Sequence, residues 1–225
     1  VLQKGKTVGE YQLDKITGAA IKIATEPDTS EVTDESNTTG GDADNTATTV
    51  DKRHIFVGDS RTVGLSNAMG CVSYDKLLQI RTEENLTEYY LAEVGSGYSW
   101  YSTKALPKLV KMLNENPAAT VILNHGINDL GNIDQYIASY QWLIRVYPNT
   151  KFVIMSVNPV NRKLYKGYAK PANITVFNQK MQAAFPNNFV NTYQYLQSMG
   201  FNTADGLHYD SLTYMNLYNY MQPYL

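Results

Sequence analysis

The chain has 225 residues, 43% of them apolar and 18% charged, with a net charge of −2 and one cysteine, Cys71. That length supports one sizeable packed domain with part of the chain outside it. The near-neutral charge excludes the strong basic excess of a nucleic-acid binder, the lone cysteine excludes an intrachain disulfide framework or a Cys-rich zinc site, and no apolar run reaches the roughly 18 residues that span a membrane.

Composition divides the chain into three. Residues 1–24 hold a short alternating piece, 10–16, and an apolar piece, 19–24, consistent with a strand or with the end of an upstream domain. Residues 25–51 contain eight acids, no base, no aromatic residue, no Leu and no Ile. Such a stretch buries too little apolar surface to offset its ordering entropy, so it is expected to be a flexible linker. Residues 52–225 form the body, with 15 basic against 11 acidic side chains, a net +4 suited to anionic or neutral substrates. A Thr-rich acidic linker ahead of a folded body leads to the expectation of an extracellular or cell-surface protein. Val1 follows no charged-then-apolar leader, so any signal peptide is expected to lie outside this sequence.

Within the body, short apolar runs alternate with longer amphipathic ones. Strands are predicted at 55–57, 89–94, 120–123, 152–155 and 189–190. Helices are predicted from near Arg61, over 100–113, 133–146, 174–185 and 211–220. This alternation implies βαβ units, and hence a parallel sheet with helices on both faces. In such a sheet, ligands bind at the carboxyl ends of the strands. The residues that follow the first three strands are Gly58-Asp59-Ser60-Arg61, Gly95-Ser96-Gly97 and Asn124-His125-Gly126-Ile127-Asn128-Asp129, and a fourth polar cluster is Asp205-Gly206-Leu207-His208.

Ser60 opens a helix and is either a cap or a nucleophile; a serine nucleophile needs a base. Of three histidines, His208 has Asp205 three residues earlier, close enough to fix its tautomer. The N–H groups of Ser60 and Gly97 and the side-chain amide of Asn128 supply three donors for a developing oxyanion. Together these make an acyl-transfer site with Ser60, His208 and Asp205 as its catalytic group.

The four clusters, in this order, resemble the blocks of the SGNH hydrolases, the GDSL-type esterases and lipases, over about residues 53–225. The resemblance implies a flavodoxin-like α/β/α sandwich of about five parallel strands, no metal or organic cofactor, and hydrolysis of carboxylic esters. It assigns Ser60 as nucleophile, His208 as base, Asp205 as its partner, and Ser60, Gly97 and Asn128 as oxyanion donors. Two departures stand out. Arg61 replaces the usual Leu, placing a cation beside the nucleophile or pointing it away along the helix. The second block offers both Gly95 and Gly97 and has Tyr98 in place of an acid. No G-x-S-x-G elbow occurs, which disfavours other serine hydrolase folds.

Arg61, Tyr98, Trp100 and His125 are further candidate substrate contacts. The alternatives are packing for Trp100 and a buried, hydrogen-bonded position for His125. The expected activity is removal of short acyl groups, acetyl above all, from a small-molecule ester, a carbohydrate or a cell-surface polymer. A lipolytic acylhydrolase and a non-catalytic carbohydrate-binding module on the same fold are the rival readings. Oligomeric state is left open.

Overall fold

The computed structural model describes the backbone of Tyr11–Leu13 (β1) and Ala20–Lys22 (β2) and residues 52–225. The chain divides at Val50–Asp51 into two units. In the first, β1 and β2 pair antiparallel, with Gln12 opposite Ile21. The linker expected over 25–51 lies outside the described residues.

The second unit contains, in chain order, β3 (Lys52–Gly58), α1 (Ser60–Ala68), β4 (Val72–Ser73), β5 (Leu78–Glu83) and β6 (Leu86–Ala92). A helical stretch follows as α2 (Tyr98–Trp100), a π-helical turn (Tyr101–Ala105) and α3 (Leu106–Glu115). Then come β7 (Thr120–Asn124), α4 (Ile133–Val146), β8 (Lys151–Met155) and α5 (Pro171–Ala184). The chain ends with β9 (Phe189–Val190), α6 (Thr192–Met199) and α7 (Ser211–Met221).

These strands form one sheet in the order β4-β5-β6-β3-β7-β8-β9. The pairs β6–β3, β3–β7, β7–β8 and β8–β9 are parallel. The five parallel strands thus follow the 2-1-3-4-5 order of a flavodoxin-like sheet. β3 sits at its centre, and Ile55, Phe56 and Val57 are all buried, the continuous apolar run expected of a strand covered on both faces. On one face Phe56, Ile122 and Val153 pack with Leu65 of α1, Leu196 of α6 and Leu217 of α7. On the other lie α3, α4 and α5, with Tyr140 of α4 6.3 Å from the ring of Phe185 just beyond α5.

Three features differ from the sequence reading. The second strand begins at Leu86 rather than 89, and a hairpin, β4–β5, extends the sheet antiparallel beyond it. β5 is mostly half-buried or exposed at the sheet margin, so its apolar alternation is faint, and its connection to β6 is only Glu84-Asn85, with Asn85 at φ +62°. Helix α6 was also not anticipated; it follows β9 with only its Asn191 cap between, and the Asn191 side chain accepts the Gln194 N–H. No helix of the described residues is long and apolar enough to cross a membrane.

Buried polar groups pin the layers together. Glu88 of β6 is fully buried and accepts hydrogen bonds from Arg81 Nε (2.9 Å), Tyr90 (2.9 Å) and Tyr218 of α7 (2.6 Å). α1 and α7 meet at Gly64, where a Cβ would stand 2.6 Å from the Tyr214 ring. Gly64→Ala gains about 1 kcal/mol of helix propensity but overpacks this contact at a cost of about 1–3 kcal/mol. The expected outcome is a net loss of stability in urea denaturation.

Candidate active site

β3 delivers the chain to the carboxyl edge of the sheet and α1 begins at once. Asp59 is the cap: its backbone is extended, its carboxylate accepts the Arg61 N–H (3.0 Å), and its carbonyl accepts from Thr62 and Val63. Ser60 is therefore the first helical residue, and among the described residues its N–H meets no protein acceptor. It stands at the positive end of the helix dipole.

His208 arrives from the other end of the chain. Its Nε2 lies 2.9 Å from Ser60 Oγ and its Nδ1 lies 2.6 Å from Asp205 Oδ2. Asp205 Oδ1 also accepts the main-chain N–H groups of Leu207 and His208, both at 2.8 Å. Slight burial acts to raise the Asp205 carboxyl, but these bonds from His208 and Leu207 hold it well below the usual carboxylate range. An ionised Asp205 requires the proton on Nδ1, which leaves Nε2 to accept from the Ser60 hydroxyl. The tight loop that closes this contact passes through Gly206 at φ +82°, a left-handed conformation suited to glycine.

The other wall is built from the second and third clusters. Asn128 Nδ2 donates to the Ser96 carbonyl (2.9 Å), and Tyr98 N–H donates to Asp129 Oδ2 (2.6 Å). Asp129 also accepts from Asn132 Nδ2 (2.9 Å) and the Tyr136 hydroxyl (3.0 Å), so one carboxylate ties α4 to the start of α2. Gly97 lies against this carboxylate, 2.6 Å from where its Cβ would be. Gly95 instead shapes the turn, at φ +76° with open space around it. The structure thus brings Gly97, rather than Gly95, beside Asn128 and Asp129.

Two of the expected substrate contacts need correction. Arg61 is only 3% exposed, and its guanidinium is fully engaged: Nε donates to Leu207 O (3.1 Å), Nη1 to Asn158 O (2.7 Å) and Nη2 to Pro159 O (2.9 Å), while the group stacks on Tyr209. It has no free donor turned to solvent and instead ties the residue after Ser60 to the residue before His208. His125, 4% exposed, is enclosed by Trp100, Tyr101 and Tyr136. Its ring nitrogens have no hydrogen-bond partner among the described residues, so the alternative of a hydrogen-bonded core position is also not met. Burial pushes its pKa down to about 3, leaving it neutral.

Tyr98 is half-buried, its ring edge-on to Tyr136 at 5.1 Å, and Trp100 is partly exposed with a buried indole N–H. His54 lies elsewhere, buried on β3 with Nδ1 3.6 Å from Glu88. Among the described residues no group of three or more His, Cys, Asp or Glu is arranged to hold a metal ion.

Sequence reading missed the segment after β8. Asn161 N–H donates to Gly206 O (2.9 Å), and the Tyr168 hydroxyl donates to the Asn128 carbonyl, so residues 161–168 join the His208 and Asn128 walls. Its run of cations was visible in the sequence, but no local pattern places it at the site.

No protein-family model and no curated protein sequence matches the chain. Solved structures do. A Streptococcus pneumonia protein provisionally named a platelet activating factor superposes with a TM-score of 0.58 at 22% identity, covering 80% of this chain and 86% of its own. The lipase/acylhydrolase from Enterococcus faecalis gives 0.52 at 17% identity, covering 74% and 91%. The acetyl xylan esterase AlAXEase gives 0.52 at 16%, covering 76% and 98%. The body has the SGNH-hydrolase fold. In this chain the carboxyl edge of that fold carries Ser60, His208 and Asp205 in one hydrogen-bonded line, with Gly97 and Asn128 on the loops that follow the neighbouring strands β6 and β7.

Arg61→Lys retains the charge but cannot fork to three carbonyls. Each lost charge-assisted bond is worth about 1.5–3 kcal/mol, so the variant is expected to lose roughly 2–4 kcal/mol in chemical denaturation. Amide exchange should quicken first at Leu207–Tyr209.

Asp59 offers a pH test. Burial pushes its pKa up to about 6, against the opposing Arg61 N–H bond and guanidinium. Because the folded value exceeds the unfolded one, the protonated form favours folding, and that stability is present below about 4 and lost as pH rises through about 6. Asp59→Asn keeps a capping side chain but cannot ionise. Its melting temperature should therefore rise relative to the wild type between pH 4 and 7, by an amount on the order of 3 kcal/mol in stability.

Proposed function

We propose that this chain is a serine esterase that removes short acyl groups, acetyl above all, from a carbohydrate or cell-surface polymer. The observation that carries the proposal is the continuous Ser60–His208–Asp205 hydrogen-bond relay at the mouth of the sheet. The SGNH-hydrolase fold around it supports the same reading.

In this reaction Ser60 Oγ attacks the ester carbonyl carbon as its proton passes to His208 Nε2. Asp205 stabilises the imidazolium that forms. Negative charge develops on the carbonyl oxygen and is met by the Ser60 and Gly97 N–H groups and by Asn128 Nδ2, which is already oriented by its bond to Ser96 O. The imidazolium then protonates the leaving alcohol. Water, deprotonated by His208, attacks the acyl-enzyme; collapse of the second intermediate releases the acid and restores Ser60. His208 and Asp205 side chains are 41% and 53% exposed, an open rim that suits a bulky alcohol portion such as a glycan. The acetyl xylan esterase among the structural neighbours acts on such a polymer by its name, and the Thr-rich acidic stretch ahead of the body supports an exported setting.

The test is hydrolysis of p-nitrophenyl esters from acetate to octanoate by the wild type and by Ser60→Ala. The expected result is activity confined to short chains and reduced at least about a thousandfold in the variant. Preference for long chains would establish the lipolytic rival. A folded protein inactive on every ester and on acetylated glycans would leave a binding module.

A further inference from the structure

The segment between β8 and α5 carries Arg162, Lys163, Lys166 and Lys170, and no acid occurs anywhere between Asp134 and Asp205. All four cations are exposed, and among the described residues none lies within ion-pair distance of a carboxylate. The segment that bears them is anchored to the site loops at two points. At one, the backbone of Asn161 and Tyr165 presses on Gly206, whose carbonyl accepts the Asn161 N–H at 2.9 Å. At the other, the Tyr168 hydroxyl donates to the carbonyls of Asn128 and Ile127.

Two of the four cations are also held in place. Arg162 gives one N–H to the Gly167 carbonyl (2.9 Å) and stacks its guanidinium over Tyr165, and Lys166 Nζ donates to Lys163 O (2.9 Å). Anchoring of this kind reduces the ordering cost of meeting an anion. These four cations equal the net +4 of the body, its other 11 basic side chains balancing its 11 acids, and they lie on a segment joined to the loop that carries Asp205 and His208. Against the single exposed Asp205 carboxylate of that loop, a net positive field raises the local concentration of anionic substrate.

The geometry points to an anionic glycan as the substrate: a polymer whose carboxylate or phosphate groups lie near the acylated hydroxyl and dock on the 161–170 segment while the ester reaches Ser60. Tyr168, 56% exposed, supplies a ring face for the sugars between these charges. The reacting group rests on the esterase reading above, but the anion contact does not.

Three polymers on one backbone separate these dependences: O-acetylated dextran, O-acetylated carboxymethyl-dextran and O-acetylated dextran phosphate. At low salt, wild-type kcat/KM on one or both charged polymers is expected to exceed that on the neutral one by about tenfold, and the advantage should shrink as salt screens it. Which charged polymer leads identifies carboxylate or phosphate as the preferred group. The ratio should collapse in R162Q/K163Q/K166Q/K170Q. It should persist in K52Q/K111Q/R145Q/K151Q, which removes the same charge from the opposite end of the sheet. Equal rates on neutral and charged polymers, or equal loss in both variants, would overturn the inference. Binding of unacetylated dextran phosphate and carboxymethyl-dextran by Ser60→Ala reads the anion contact without catalysis. If nothing is hydrolysed but this binding occurs and disappears in Ser60→Ala carrying the four loop substitutions, the esterase reading fails and the anion site stands. If neither charged dextran binds, the anion site fails whatever the hydrolysis shows.

Discussion

Arg61 brings a permanent positive charge to a position that is 3% exposed. Desolvating such a group costs several kcal/mol, so it persists only where its donors are satisfied. Three main-chain carbonyls, the face of Tyr209 and the nearby Asp59 carboxyl meet that demand. The fixed fork of the guanidinium thereby sets the distance from α1 to the His208 loop and to the strand exit at Asn158-Pro159. Ser60 and His208 lie 148 residues apart in sequence, and their 2.9 Å contact depends on that spacing.

The opposite wall has a different logic. Asp129, rather than a cation, collects the Tyr98 N–H, Asn132 and Tyr136, and so joins α2 to the turn bearing Asn128. Behind it lies an aromatic cluster built around Tyr101 and Tyr136 that encloses His125. The π-helical turn begins there, with Leu106 N–H donating to Tyr101 O, so the helix is widened where Tyr101 enters the cluster. A tyrosine-rich composition thus appears as packing as well as surface: Tyr101, Tyr136 and Tyr140 are buried, whereas Tyr168 is exposed and reaches the Asn128 carbonyl.

Charged groups at the site differ in exposure. Asp59 is buried beside Ser60 and Asp129 is half-buried against Gly97, whereas Asp205 stands exposed beside His208 and the cations of 161–170 are exposed on the adjoining segment. A carboxylate beneath a helix start braces the backbone through its N–H groups. A lysine at the rim keeps its charge hydrated and available. The same body therefore combines local acidic bracing with an exposed cationic segment.

Much of this was visible in the residues alone. Ile55-Phe56-Val57, Thr120 to Leu123 and Phe152 to Met155 are continuous apolar runs, because a parallel strand buried on both faces has no polar side to show. Gly58-Asp59-Ser60, Asn128 and Asp205-to-His208 stand out because a strand exit concentrates polar and glycine residues in a few consecutive positions. β5 and α6 were not visible, since a half-exposed sheet margin and a helix joined to its strand by a single cap carry weak periodicity. Only the tertiary structure decided the roles of Arg61, His125, Gly97 and the 161–170 segment. Each depends on partners from other elements of the fold: carbonyls at 158, 159 and 207 for Arg61, rings at 100, 101 and 136 for His125, the carboxylate at 129 for Gly97, and the backbone at 128 and 206 for the segment. Periodicity and turn chemistry are local and can be read along the chain, whereas the satisfaction of a buried charge is settled only when distant strands have been brought together.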